Sequence, residues 1–194
     1  GVQFTNALIV DDSCTPPPPP PPTGIVYTRL QLGATVDLSC VWFVTELDGF
    51  VVGSGGRLYR TIDGGLSWNL IVTGTTVDLT GFRIIDNRWY IYGTNGAVRY
   101  SIDQGNTWIT INIGANVTIT DIRFISESYA IAIGHGGVIY IWNGVSWIRQ
   151  ELDVKVSVNF TSIYTHGSYI YIVGTLGQLW RYDGTVWLKI DLNL

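Results

Sequence analysis

Three aspartates recur at fixed spacing and are the first candidates for chemistry. Asp63 stands in Thr61-Ile62-Asp63-Gly64-Gly65-Leu66-Ser67-Trp68, and Asp103 in Ser101-Ile102-Asp103-Gln104-Gly105-Asn106-Thr107-Trp108. Asp183 lies in the shorter run Tyr182-Asp183-Gly184-Thr185-Val186-Trp187. Acid–base catalysis needs two carboxylates brought together, whereas each of these sits among its own hydroxyls and glycines. An aspartate in that setting hydrogen-bonds the N–H groups of its own turn, and glycine supplies the left-handed position. The expected role is structural.

Other chemistry finds less support. His135 and His166, the two histidines, have no partner at ligand spacing, so neither a metal nor any other cofactor is expected. Arg83 and Arg123 occupy equivalent repeat positions, filled by Trp42 and Tyr164 in the other two repeats, which reads as a surface or channel position. No catalytic residue is assigned.

These residues are carried by a repeat. Four glycine turns are in register at Gly53-Ser54-Gly55-Gly56, Gly93-Thr94-Asn95-Gly96, Gly134-His135-Gly136-Gly137 and Gly174-Thr175-Leu176-Gly177. Each lies between two apolar runs, as in Tyr90-Ile91-Tyr92 and Val98-Arg99-Tyr100, so each predicts a hairpin whose glycines permit positive φ. A tryptophan follows about ten residues later, at Trp68, Trp108, Trp147 and Trp187, and opens a further strand. A hydroxyl in register (Ser39, Thr80, Thr120, Thr161) marks the opening strand of each repeat. Four strands per repeat make the blade of a propeller. The expected fold is all-β: a small four-bladed propeller over residues 23–194, with repeats at about 36–76, 77–118, 119–159 and 160–194.

The two full motifs, Thr61, Asp63, Gly65, Trp68 and Ser101, Asp103, Gly105, Trp108, resemble the Asp-box of sialidase-type (BNR) β-propellers. Asn143, Gly144 and Trp147, like Asp183, Gly184 and Trp187, form a version one residue shorter. The resemblance covers about residues 36–194 and implies blade architecture. It does not bring sialidase activity, which requires clustered arginines and a tyrosine nucleophile that follow no family pattern here.

All seven prolines lie in one run, Pro16–Pro22, which predicts a polyproline II rod of roughly 22 Å at about 3.1 Å per residue. Residues 1–15 form an extension before it. Val2, Phe4, Leu8 and Val10 share one face of an extended strand, which predicts strand donation to a neighbouring subunit; docking on its own blade is the alternative. Ile25–Leu32 also reads as a strand. Cys14 and Cys40 fit one disulfide pinning stalk to propeller, with two free thiols as the alternative.

Lys155 and Lys189 are the only lysines and the net charge is −4, so nucleic acid is excluded as a partner. No apolar run is long enough to cross a membrane. Sequons at Asn116 and Asn159, and Thr15 and Thr23 beside the prolines, are candidate glycosylation sites. The chain contains no methionine, so Gly1 is expected to follow a trimmed or processed start. The expected function is a non-enzymatic extracellular or virion-surface structural protein, a filament or appendage subunit whose partner is itself. The alternatives are a carbohydrate- or protein-binding propeller of adhesin or lectin type, binding through its loops and exposed aromatics such as Trp42, Trp89 and Trp142, and an assembly factor like those serving photosystem II.

Overall fold

In the computed structural model the described residues are 35–114, 116–152 and 157–192. The expectations placed on the N-terminal extension, the proline rod, the strand at Ile25–Leu32, Cys14, Thr15 and Thr23 lie outside them.

Among the described residues sixteen strands form four antiparallel sheets of four, each in simple chain order. Blade 1 holds β1 (Leu38–Phe43), β2 (Gly49–Gly53), β3 (Arg57–Thr61) and β4 (Asn69–Ile71). Blade 2 holds β5 (Leu79–Ile85), β6 (Arg88–Gly93), β7 (Val98–Ser101) and β8 (Ile109–Thr110). Blade 3 holds β9 (Ile119–Ser126), β10 (Tyr129–Gly134), β11 (Ile139–Trp142) and β12 (Trp147–Gln150). Blade 4 holds β13 (Phe160–His166), β14 (Tyr169–Gly174), β15 (Gln178–Tyr182) and β16 (Trp187–Lys189). The all-β propeller architecture read from the repeat is the one observed.

Side chains alternate faces along each strand, so each central strand packs two ways. Phe50, Val52 and Leu58 of blade 1 meet Leu79, Phe82, Trp89 and Ile91 of blade 2. Tyr92 and Val98 of blade 2 meet Ile119, Ile122 and Ala132 of blade 3. Ile131, Ile133 and Ile139 of blade 3 meet Phe160, Ile163 and Ile172 of blade 4. These three seams are the core. Among the described residues no apolar cluster joins blade 4 to blade 1.

The seams are also stitched by the hydroxyls in register. Thr80 Oγ1 donates to the Ile119 carbonyl and Thr120 Oγ1 to the Phe160 carbonyl at 2.7 Å, each reaching the next blade. Among the described residues Thr161 Oγ1 reaches only Val173 O in its own blade, at 3.4 Å.

The glycine turns work differently at their two ends. Positive φ falls on the third and fourth residues: Gly55 and Gly56, Asn95 and Gly96, Gly136 and Gly137, Leu176 and Gly177. The first glycine is extended, with φ −169° at Gly53 and −177° at Gly93. It is required by close approach instead. A Cβ on Gly53 would lie 2.1 Å from the Asp37 carbonyl oxygen, and one on Gly93 2.0 Å from that of Asp78. Those carbonyls accept from Ser54 N and Thr94 N at 2.9 Å each. The linker entering each blade is thus bonded beneath that blade's own turn.

Candidate functional site

The two full Asp-boxes have superimposable bonding. Thr61 Oγ1 donates to Asp63 Oδ1 at 2.7 Å and accepts from Gly65 N at 2.8 Å; Asp63 Oδ1 accepts from Ser67 N at 2.9 Å. Ser101, Asp103, Gly105 and Thr107 repeat this at 2.7, 2.8 and 2.9 Å. The Ser67 hydroxyl, the Ser67 N–H and the Thr61 hydroxyl together hold the Asp63 carboxyl down at about 2. The Thr107 hydroxyl, the Thr107 N–H and the Ser101 hydroxyl do the same for Asp103, also to about 2. A carboxylate saturated with donors and ionised at every ordinary pH is neither a proton donor nor a good base. Trp68 and Trp108 close the turns by donating Nε1 to the carbonyls of Gly65 and Gly105, at 3.1 Å each.

The shortened boxes keep the Asx turn. Asn143 Oδ1 accepts from Val145 N and Ser146 N at 3.0 and 2.9 Å. Asp183 Oδ1 accepts from Thr185 N and Val186 N at 2.8 and 2.9 Å, and these N–H groups and the Thr185 hydroxyl lower its carboxyl to about 2. The missing residue removes the indole's carbonyl acceptor. Trp187 Nε1 is buried without a hydrogen-bond partner, and its ring stacks on Tyr182 at 4.7 Å. Gly144 and Gly184 take positive φ in these turns.

The most concentrated polar site lies between blades and was not foreseen from the sequence. Asp121, on β9 and only 6% exposed, accepts from three groups. Arg83 Nη2 and Tyr92 Oη, both of blade 2, reach Oδ1 at 3.1 and 3.2 Å; Ile163 N of blade 4 reaches Oδ2 at 3.0 Å. Burial and the neighbouring Asp121 charge push the Tyr92 phenol well above its usual range. One carboxylate therefore ties together three consecutive blades. Gly81 makes this possible, because a Cβ there would lie 2.2 Å from the Tyr92 ring. A repeat comparison holds the signal: Cys40, Gly81, Asp121 and Ser162 are equivalent by register, and only one is charged.

Arg83 and Arg123 are correspondingly not at an open channel position. Arg83 serves Asp121, and Arg123 Nη2 donates to the Ile163 carbonyl at 3.2 Å across the next seam. Trp42 and Trp89, read as exposed binding aromatics, pack in the first seam, where Trp89 is 4% exposed. Trp142 does remain at the surface. With Trp147, Ile111 and Asn112 it lines a shallow groove, and its Nε1 donates to the Glu127 carbonyl at 3.1 Å.

Of the sequons, Asn116 is exposed, whereas Asn159 is half-buried and its Oδ1 accepts from Gly136 N at 3.1 Å. Cys40 is half-buried on β1. Among the described residues no three His, Cys, Asp or Glu side chains are grouped to hold a metal, and no helix is long and apolar enough to cross a membrane.

No family model and no curated protein matches the chain. Solved structures do. YCF48 bound to D1 peptide matches with a TM-score of 0.64 at 19% identity, over 83% of this chain and 56% of that one. YCF48 from Cyanidioschyzon merolae matches with a TM-score of 0.65 at 15% identity, over 84% of this chain and 58% of that one. An ancestral GH74 enzyme gives a TM-score of 0.61 at 16% identity, over 79% of this chain and 25% of that one. The likeness is one of propeller fold, shared by an enzyme and by a peptide-bound protein. The chain spans little more than half the length of the YCF48 structures.

Proposed function

We propose that this protein is a non-enzymatic structural subunit at an extracellular or virion surface, which assembles with copies of itself, using its N-terminal extension as the connector. The observation that carries this reading is the uncovered outward face of blade 4. Tyr171 and Val173 stand where Ile131 and Ile133 stand in blade 3, yet Val173 is 42% exposed and Ile133 fully buried. Tyr164 and Tyr169 on the same face are 36% and 39% exposed. A propeller face of this kind is built to receive another blade. The saturated Asp-box carboxylates, which leave no free acid or base at the repeated sites, favour a structural role.

Electron microscopy and mass measurement of the full chain and of a chain lacking residues 1–10 test the reading. Assemblies are expected from the first and single subunits from the second. If both assemble alike, or neither does, the reading fails.

A protein-binding role is the second reading. It is favoured by one neighbour, YCF48, having been solved with a peptide bound. A full chain that stays single while capturing extended peptides would favour it.

A further inference from the structure

Residues 27–38 repeat, in sequence, the segments that carry the chain out of blades 1 and 2. Tyr27, Leu30, Gly33, Val36 and Leu38 align with Trp68, Ile71, Gly74, Val77 and Leu79, and with Trp108, Ile111, Gly114, Val117 and Ile119. In both built cases the segment runs from an outer strand to the inner strand of the next blade. It also fills the seam on the way: Ile71 packs on the first cluster, and Ile111 and Val117 on the second. Residues 27–38 therefore carry the exit strand and seam residues of a blade that would precede blade 1. Among the described residues no blade precedes blade 1.

The opposite end carries the complementary vacancy. Blade 4 presents Tyr164, Tyr171, Val173 and Leu179 outward, at the register positions of Arg123, Ile131, Ile133 and Ile139. Leu38 is 49% exposed, whereas its equivalents Leu79, Ile119 and Phe160 are at most 1% exposed in their seams. Among the described residues the Thr161 hydroxyl reaches no next-blade carbonyl, although the Leu38 carbonyl is the register equivalent of the acceptors used by Thr80 and Thr120.

We propose that a second copy of this chain completes the seam. Tyr27–Leu32 of one copy pairs with β15 of its neighbour, and blade 1 of the first then seats on blade 4 of the second. The place beside β15 is held by β16 through three pairs, Trp180 with Lys189, Arg181 with Leu188 and Tyr182 with Trp187. The incoming strand displaces that short one. Val51 and Tyr59 on the outward face of blade 1 are already buried in the single chain. Association thus exchanges β16 for the incoming strand, as in a domain swap. The proposal rests on the self-assembly reading and assigns it a strand and a docking face.

Phase alignment puts Thr28 where Leu188 lies, opposite Arg181. The test uses full chains carrying Cys14→Ser and Cys40→Ser, one with Thr28→Cys and one with Arg181→Cys. Mixing them under mild oxidation is expected to give a mixed disulfide dimer. Adding Leu30→Asp to the first chain, or Val173→Asp to the second, is expected to reduce that dimer at least tenfold. Absence of the dimer, or an equal yield when the first cysteine is moved to Gln31, overturns the seam. A chain carrying both cysteines that closes its disulfide internally as a monomer overturns it too, because the four blades then close on themselves. Assemblies seen by microscopy without the mixed disulfide sink this seam alone; single subunits throughout sink the assembly reading with it.

Discussion

The outward faces of blades 3 and 4 use the same register positions and meet opposite fates. Ile131, Ile133 and Ile139 are wholly buried against blade 4. Tyr171, Val173 and Leu179 face outward, and among the described residues no cluster lies over them. The blade 4 face has a composition suited to partial exposure: Tyr169 packs near Tyr171 at 6.4 Å, and the Arg181 guanidinium lies 4.7 Å from the Tyr169 ring centroid. Phenols and a guanidinium keep polar tips in water while offering apolar bodies to a partner. The comparison teaches that blade 4 is a modified blade and not a plain copy of blade 3.

Truncation separates the two faces most sharply. Ile133→Ala is expected to cost about 2–5 kcal/mol through the cavity it leaves, and Val173→Ala under about 0.5 kcal/mol in the single chain; urea unfolding of both reads the difference. Equal losses would mean that blade 4 is covered in solution. Next in size is Asp121→Ala. It removes the Arg83 ion pair and the acceptor of the Ile163 N–H from a seam, while Arg83 keeps its bond to the Phe82 carbonyl, at a cost of about 3 kcal/mol. The same substitution at Ser162, its equivalent on the open face, is expected to be near neutral. A gain is expected from Leu176→Gly, since Leu176 holds φ +59° and is 68% exposed. Relieving the left-handed conformation is expected to raise stability by about 1 kcal/mol, seen as a higher Tm.

The smallest effect is confined to acid. The folded carboxyls of Asp63 and Asp103, at about 2, lie below their ordinary value of 3.8. Their contribution is therefore present above about pH 4 and is lost as pH falls toward 2. Asp63→Asn with Asp103→Asn is expected to flatten the stability–pH curve in that window only. An unchanged slope would remove the full boxes from the account of stability.

Most of the blade was legible because its signals are local. A hairpin shows in a few consecutive residues, and the Asp-box hydroxyl, aspartate and indole all bond within seven positions of one another. The role of the first glycine was only half legible: its need comes from a linker carbonyl about fifteen residues upstream, not from its own φ. The Asp121 junction escaped because its partners sit 29 to 42 positions away in other blades. A lone Asp in a strand reads as an exposed residue until the next blade is laid against it. Trp42 and Trp89 misled for the same reason, since bulk at a seam and bulk at a binding surface look alike in one dimension.

The linker-to-turn bonds have one more consequence. The carbonyls of Asp37, Asp78, Thr118 and Asn159 accept from Ser54, Thr94, His135 and Thr175 at 2.9 Å in all four blades. The outer turns, by contrast, occur in two lengths within this one chain. A grafted peptide, epitope or affinity tag is therefore best carried at positions 143–146 or 183–186, where a change of length has already been accommodated. The same cargo placed at an inner glycine turn would part the linker from its blade.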